Sequence, residues 1–211
     1  MYKLSYFDVE TPSSHNDSIC QIAVISENQG RNQMVEFLVD PEDEFHPRNV
    51  AIHGITAQMV KNQPTFPEIW QAIRHYFIGH VVVGHSVRFD LAVLFKNLYH
   101  YGLAIPEIHF IDTMDLLRSK KLECGLGLKE SCQYFNIVLE QHHKALMDTK
   151  AAHDLFKVLA KDIKDLPLFI HRYTPGKDVL ATTGSCSATI KTIPVSSPLS
   201  RPANLPVKSR K

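Results

Sequence analysis

The 211-residue sequence predicts an α/β layered domain, on three observations. Three apolar runs of strand length come first, short β-branched runs then alternate with 3.6-periodic segments, and two helical patterns close the domain. Leu4 to Val9 reads as a strand that ends in acidic residues. Ile19 to Ile25 is a nearly continuous apolar run, the pattern of a buried strand, and Met34 to Val39 is a third. The turn residues Asn28-Gln29-Gly30 between these two runs make them a hairpin. Phe66 to Phe77 carries Ile69, Trp70, Ile73 and Phe77 at helical spacing. Val81-Val82-Val83 is a short strand, and Phe89 to Tyr101 is a helix with Leu91, Val93, Leu94 and Leu98 on its apolar stripe, stopping before Gly102. His109-Phe110-Ile111 is the last strand, followed by helices over Leu128 to Phe135 and Ala145 to Ala160. Residues 1–170 therefore form one domain with a five-stranded sheet. Past Leu166, Pro167, Pro175, Pro194, Pro198, Pro202 and Pro206 punctuate a Ser/Thr-rich stretch, so residues 171–211 read as a tail, disordered from about residue 176.

Composition narrows the class. Apolar residues at 44% and charged residues at 21% are globular values. No segment reaches the ~18–20 apolar residues of a membrane span, and the start has no signal-peptide anatomy. Cys20, Cys124, Cys132 and Cys186 contain no C-x-x-C pair, which suits a reducing cytoplasm and argues against structural zinc. The net charge of +1 hides an asymmetry: residues 175–211 carry +5 and the first 174 carry −4. An acidic body suits a carboxylate metal site. A basic tail suits a polyanion, with a solvated tail as the plainer reading.

The chemistry resides in four carboxylates and a histidine. Asp8 and Glu10 are two apart at a strand end, so they share a face and repel unless a cation lies between them. Asp90 stands near a helix start, where an acid is ordinarily a cap or a dipole partner. Asp148 lies inside a helix whose apolar positions include Leu146, Ala151, Leu155 and Phe156, with His143 five residues earlier. Each alone is a weak signal; oxygen clusters of this sort suit Mg²⁺ or Mn²⁺.

Taken together, Phe7-Asp8-Val9-Glu10-Thr11, Gly84-His85-Ser86-Val87-Arg88-Phe89-Asp90 and His143-Lys144-Ala145-Leu146-Met147-Asp148 resemble the motifs of the DEDD superfamily of 3′–5′ exonucleases, histidine branch. The chain looks most like the proofreading type related to the epsilon chain of bacterial DNA polymerase III. The segment from His46 to Thr56 and Ile111-Asp112-Thr113 add family-like phrases, so the likeness runs from about Tyr2 to Leu166. Only His143, not His142, has the family spacing to Asp148. Lys144 stands where the tyrosine branch needs Tyr, and Ser86 replaces the usual Asn.

The resemblance implies an RNase H-like fold with a mixed sheet flanked by helices. It also implies two divalent ions, Mg²⁺ or Mn²⁺, bound by Asp8, Glu10, Asp90 and Asp148, with His143 as general base. The implied reaction releases nucleoside 5′-monophosphates from a single-stranded or frayed 3′ end of DNA. Thr11, His53, Gly54, Ile55 and Ser86 are the expected substrate contacts, His53 by stacking on a base or meeting a phosphate. The competing role for the 53–56 segment is a turn that starts a helix with Thr56 as its cap. Phe89 is expected in the core and Asp112 as a structural cap. An RNA-trimming enzyme of the same branch is the alternative, and a silent nucleic-acid-binding module a more distant one. A DNA polymerase or a sliding clamp is the expected protein partner; Asp165 to Phe169 faintly resembles a clamp-docking peptide but lacks its leading Gln.

Overall fold

A six-stranded mixed sheet in the order β3-β2-β1-β4-β5-β6 forms the central layer of this computed structural model, which describes residues 2–28 and 31–176. Strand β1 (Leu4–Glu10) is central, pairing antiparallel with β2 (Gln21–Asn28) and parallel with β4 (Val81–Gly84). β3 (Arg31–Leu38) pairs with β2 as the expected hairpin, in a register that sets Asn28 opposite Arg31. β4 continues parallel into β5 (His109–Asp112). The parallel steps are bridged by helices, as such crossovers require.

The sheet is one strand wider than the sequence indicates. β6 (His171–Arg172) lies antiparallel to β5, one residue past the expected domain edge. Two polar residues carry no periodicity, so nothing in the sequence marks them as a strand. They are held by backbone pairing, by an Arg172–Glu107 ion pair of 3.0 Å and by the Tyr173 N–H donating to the Ile108 carbonyl at 2.9 Å. Most of the basic tail, 177–211, falls outside the described residues, as do Cys186 and the expectation of disorder there.

Seven α-helices occur among the described residues. α1 (Pro47–His53), α2 (Ala57–Val60) and α3 (Phe66–Ile73) fill the connection from β3 to β4. α3 opens with a capping box, Glu68 accepting from the Thr65 N–H at 2.8 Å, and ends earlier than its apolar spacing suggests, giving way to a 3₁₀ turn over Arg74–Tyr76. α4 (Val87–His100) links β4 to β5. α5 (Thr113–Lys120), α6 (Leu128–Tyr134) and α7 (Ala145–Ala160) follow. Asp112 caps α5 as expected, accepting from the Met114 N–H at 3.0 Å.

Strand alternation divides the core between the two faces of the sheet. Phe7 and Val9 pack with Ile69, Trp70, Leu91 and Leu94 from α3 and α4. Tyr6 packs with Leu116, Leu155 and Phe156 from α5 and α7. Period two then puts Asp8 and Glu10 on the face of Tyr6, toward α7. Among the described residues no helix is long and apolar enough to cross a membrane.

Candidate active site

The end of β1, the start of α4 and the first turn of α7 meet at the C-terminal ends of the parallel strands. Donor oxygens of Asp8, Glu10 and Asp148 all lie within 4.8 Å of one another. Asp90 reaches the group from the opposite face by crossing the strand end, where the Val9 N–H donates to its Oδ1 at 3.2 Å. That approach depends on Gly84: a Cβ there would sit 2.8 Å from a Val87 methyl and 3.2 Å from the Phe7 carbonyl oxygen. The four carboxylates line one cavity of about 260 Å³, with His142 and His143 at its rim. A larger groove of about 960 Å³ at the opposite end of the strands is mainly apolar, walled by Trp70, Ile78 and Ile105, and among the described residues Glu107 is the one acid lining it.

Burial and mutual repulsion dominate the electrostatics. Asp8 is pushed well above the ordinary carboxylate range, by burial first and then by Asp90, Glu10 and Asp148. Glu10 is pushed up to about 7 by burial and Asp148, with the Lys144 ammonium acting in the opposite sense. Asp90 is raised by burial, against hydrogen bonds from the Val9 and Asp90 N–H groups that favour its charged form. Acids that resist ionisation until a cation joins them, offering only oxygen donors, fit a hard divalent ion such as Mg²⁺ or Mn²⁺.

Two adjacent histidines frame Asp148 differently. His142 places Nδ1 at 3.0 and 3.1 Å from the two carboxylate oxygens. His143 instead donates its backbone N–H to Asp148 at 3.0 Å, and its φ of +66° lies in the left-handed region. The two rings stack with centroids 3.8 Å apart. Burial, then the His142 charge, lower the His143 pKa, while Asp148 acts to raise it. Both rings border the cavity.

The expected substrate residues divide into two groups. Ser86 is exposed at the cavity, where it precedes α4 with φ +59° and donates its N–H to Asp112 at 2.9 Å. Thr11, His53, Gly54 and Ile55 form a knot beside β1. The buried His53 ring meets the Thr11 carbonyl through Nε2 at 3.1 Å and accepts the Ile55 N–H on Nδ1 at 2.9 Å. With both ring nitrogens engaged, His53 is a tie between β1 and the α1–α2 turn rather than a free stacking or phosphate-binding ring. Gly54 closes α1 at φ +74°, a conformation that suits glycine. Phe89, expected in the core, is 46% exposed and borders the cavity, because the turn that buries Asp90 rotates its neighbour outward. His85 also lines the cavity, with Nδ1 2.8 Å from the Thr113 hydroxyl. It stands inside the Gly84–Asp90 motif, and nothing in its spacing to the carboxylates marks this placement.

Comparison with known proteins gives the family and the fold. The exonuclease family of the RNase T type matches residues 6–156, and the chain belongs to that family, within the DEDD group that its motifs resemble. A PolC-type DNA polymerase III from Clostridium perfringens is 30% identical over 187 residues, covering 82% of this chain but only 13% of that protein. The PolC-type enzyme of Lactococcus lactis is 31% identical over 172 residues, covering 78% of this chain and 10% of its own length. Among solved structures, exonuclease X in complex with 5′-overhanging duplex DNA superposes with a TM-score of 0.58 at 23% identity, covering 86% of this chain and 99% of that one. Exonuclease I superposes at 0.69 with 20% identity, over 80% of this chain and 42% of that one. These neighbours share the RNase H-like exonuclease fold.

Proposed function

We propose that the chain is a metal-dependent 3′–5′ exonuclease that trims single-stranded or frayed 3′ ends of DNA and releases nucleoside 5′-monophosphates. The observation that carries this reading is the convergence of Asp8, Glu10, Asp90 and Asp148 on one cavity with an imidazole pair at its rim. Asp8, Glu10 and Asp148 would hold one divalent ion, and Asp8 with Asp90 a second. Such ions, when bound, activate a water and stabilise the oxygen that leaves a phosphodiester.

The protein's own residues do the remaining work. His143 takes the proton from the attacking water; its lowered pKa keeps the ring neutral and able to accept near pH 7. His142 supports Asp148, orienting the carboxylate through the two short contacts described above. Ser86 and Phe89, both exposed at the cavity, flank the path of the terminal nucleotide, and Phe89 offers a face on which a base stacks. Thr11 and the 53–55 turn border it from the other side. A role in proofreading or repair trimming is supported by the PolC-type relatives, and a polymerase is then the partner.

The test is a 5′-labelled oligonucleotide assay with Mg²⁺ and Mn²⁺, run in parallel on DNA and RNA and read by product size. Mononucleotides released stepwise from the 3′ end of DNA support the reading. Preference for RNA would assign the chain to RNA trimming, and absence of metal-dependent cleavage would leave a binding module.

A further inference from the structure

Lys144 is the one charged residue of the third motif that neither the metal site nor the proton transfer uses. It follows His143 directly and serves as the N-cap residue of α7, with extended backbone and no side-chain cap bond. Its side chain turns away from the helix and donates from Nζ to the His53 carbonyl at 2.8 Å. That carbonyl belongs to the last residue of α1, where unpaired helix carbonyls gather negative charge. The ammonium thus completes a helix C-terminus across 91 positions of sequence.

Both sides of this contact are built in. On one side, the Ala145 N–H donates to Gln21 Oε1 at 3.1 Å, fixing the start of α7 to β2, and Gln21 lies opposite Glu10 in the sheet. On the other, His53 is tied to the Thr11 carbonyl, which also accepts from Asn49 Nδ2 at 3.0 Å. The Lys144 charge is felt at Glu10 and at His53, so the residue stands between the carboxylates and the α1–α2 turn.

We propose that Lys144 is a positioning residue: by holding the His53 carbonyl it locks the His53-Gly54-Ile55 turn against the start of α7 and so fixes one wall of the cleft that the 3′ end enters. This rests on the nuclease reading for its substrate, but the lock itself is a property of the fold. A hydrogen bond from a charged donor is among the stronger kinds, and losing one wall of a cleft loosens substrate positioning.

The experiment compares the full chain with Lys144→Met, which keeps the stem and removes the donor, and Lys144→Arg, which keeps a donor and the charge. Two readouts are taken: amide hydrogen exchange across residues 53–57, and steady-state kinetics on single-stranded DNA. Lys144→Met should speed exchange of the Gly54 and Ile55 amides and raise KM, each by about tenfold, with kcat changed by less than about threefold. Exchange in β1 and β2 should be unchanged, and Lys144→Arg should restore most of both effects. Unchanged exchange in Lys144→Met overturns the proposal. Exchange that accelerates everywhere, or a variant that fails to fold, also overturns it, in favour of a general structural role. A folded Lys144→Arg that behaves like Lys144→Met does the same. If the unaltered chain cleaves no nucleic acid, the nuclease reading fails alone, because the exchange readout still decides whether the lock exists.

Discussion

The imidazole of His142 contacts both oxygens of Asp148, at 3.0 and 3.1 Å, whereas His143 reaches the same carboxylate only through its backbone N–H. The spacing implied by the family resemblance singles out His143, and this geometry supports the proposal that His143 is the base and His142 a support for Asp148. A backbone bond leaves the His143 ring free to face the cavity, and the left-handed turn at φ +66° aims it there. The His142 ring is already committed. Replacing His143 with Ala should therefore cut turnover by ~10²–10⁴-fold, while His142→Ala should cost less than about tenfold. Single-turnover rates for the two variants check this; the reverse ranking would give the base role to His142.

Burial of the acids, and then their mutual repulsion, sets the pH dependence of the metal-free protein. Glu10 rises on folding from an ordinary 4.5 to about 7, and Asp8 and Asp90 are raised as well. A carboxyl raised by folding supports the native state fully below its unfolded pKa, and that support is lost as the pH climbs through the folded value. Glu10 alone corresponds to a loss of up to about 3 kcal/mol between pH ~4.5 and 7. Melting temperatures in EDTA should fall over that window. Added Mn²⁺ should restore them at pH 8, and Asp8→Asn should flatten the slope.

Ser86 adopts φ +59°, a conformation in which asparagine is better tolerated than serine. This gives a backbone reason for the usual Asn at that place, beside its longer hydrogen-bonding reach. Ser86→Asn should stabilise the protein by about 0.5–1 kcal/mol, measurable by chemical unfolding, and should not lower activity.

Gly84 is constrained by space rather than by φ. An added methyl would press on Val87 at 2.8 and 2.9 Å and on the Phe7 carbonyl oxygen. Gly84→Ala should push α4 from β1, lengthen the Val9–Asp90 contact and cost about 1–3 kcal/mol in stability. Activity should fall further than stability explains, because Asp90 moves with the helix. Unfolding curves and initial rates on the same preparation separate the two effects.

Much of the fold was readable because its main elements are periodic. The apolar runs of β1, β2 and β4 and the stripes of α4 and α7 needed no tertiary information. α7 was placed at its observed ends, Ala145 and Ala160. α1 and β6 were not readable: α1 has seven residues with His53 as its one buried side chain, and β6 has two polar residues defined by their partner strand. Of the candidate site, the grouping of Asp8, Glu10, Asp90 and Asp148 around one cavity was legible, since their order along the motifs does not depend on packing. The roles of His53 and Phe89 were not. Whether His53 is a tie or a contact depends on the Thr11 carbonyl 42 residues away, and the exposure of Phe89 depends on how α4 meets β1.

The most direct test of the carboxylate site compares the full chain with Asp8→Ala on 5′-labelled single-stranded DNA with Mn²⁺. The unaltered chain should shorten the strand stepwise from its 3′ end and stop in EDTA. Asp8→Ala should show no turnover above background while melting at or above the temperature of the unaltered, metal-free protein. Undiminished, metal-independent cleavage by folded Asp8→Ala, with contaminating nuclease excluded, would contradict the assignment of the four carboxylates.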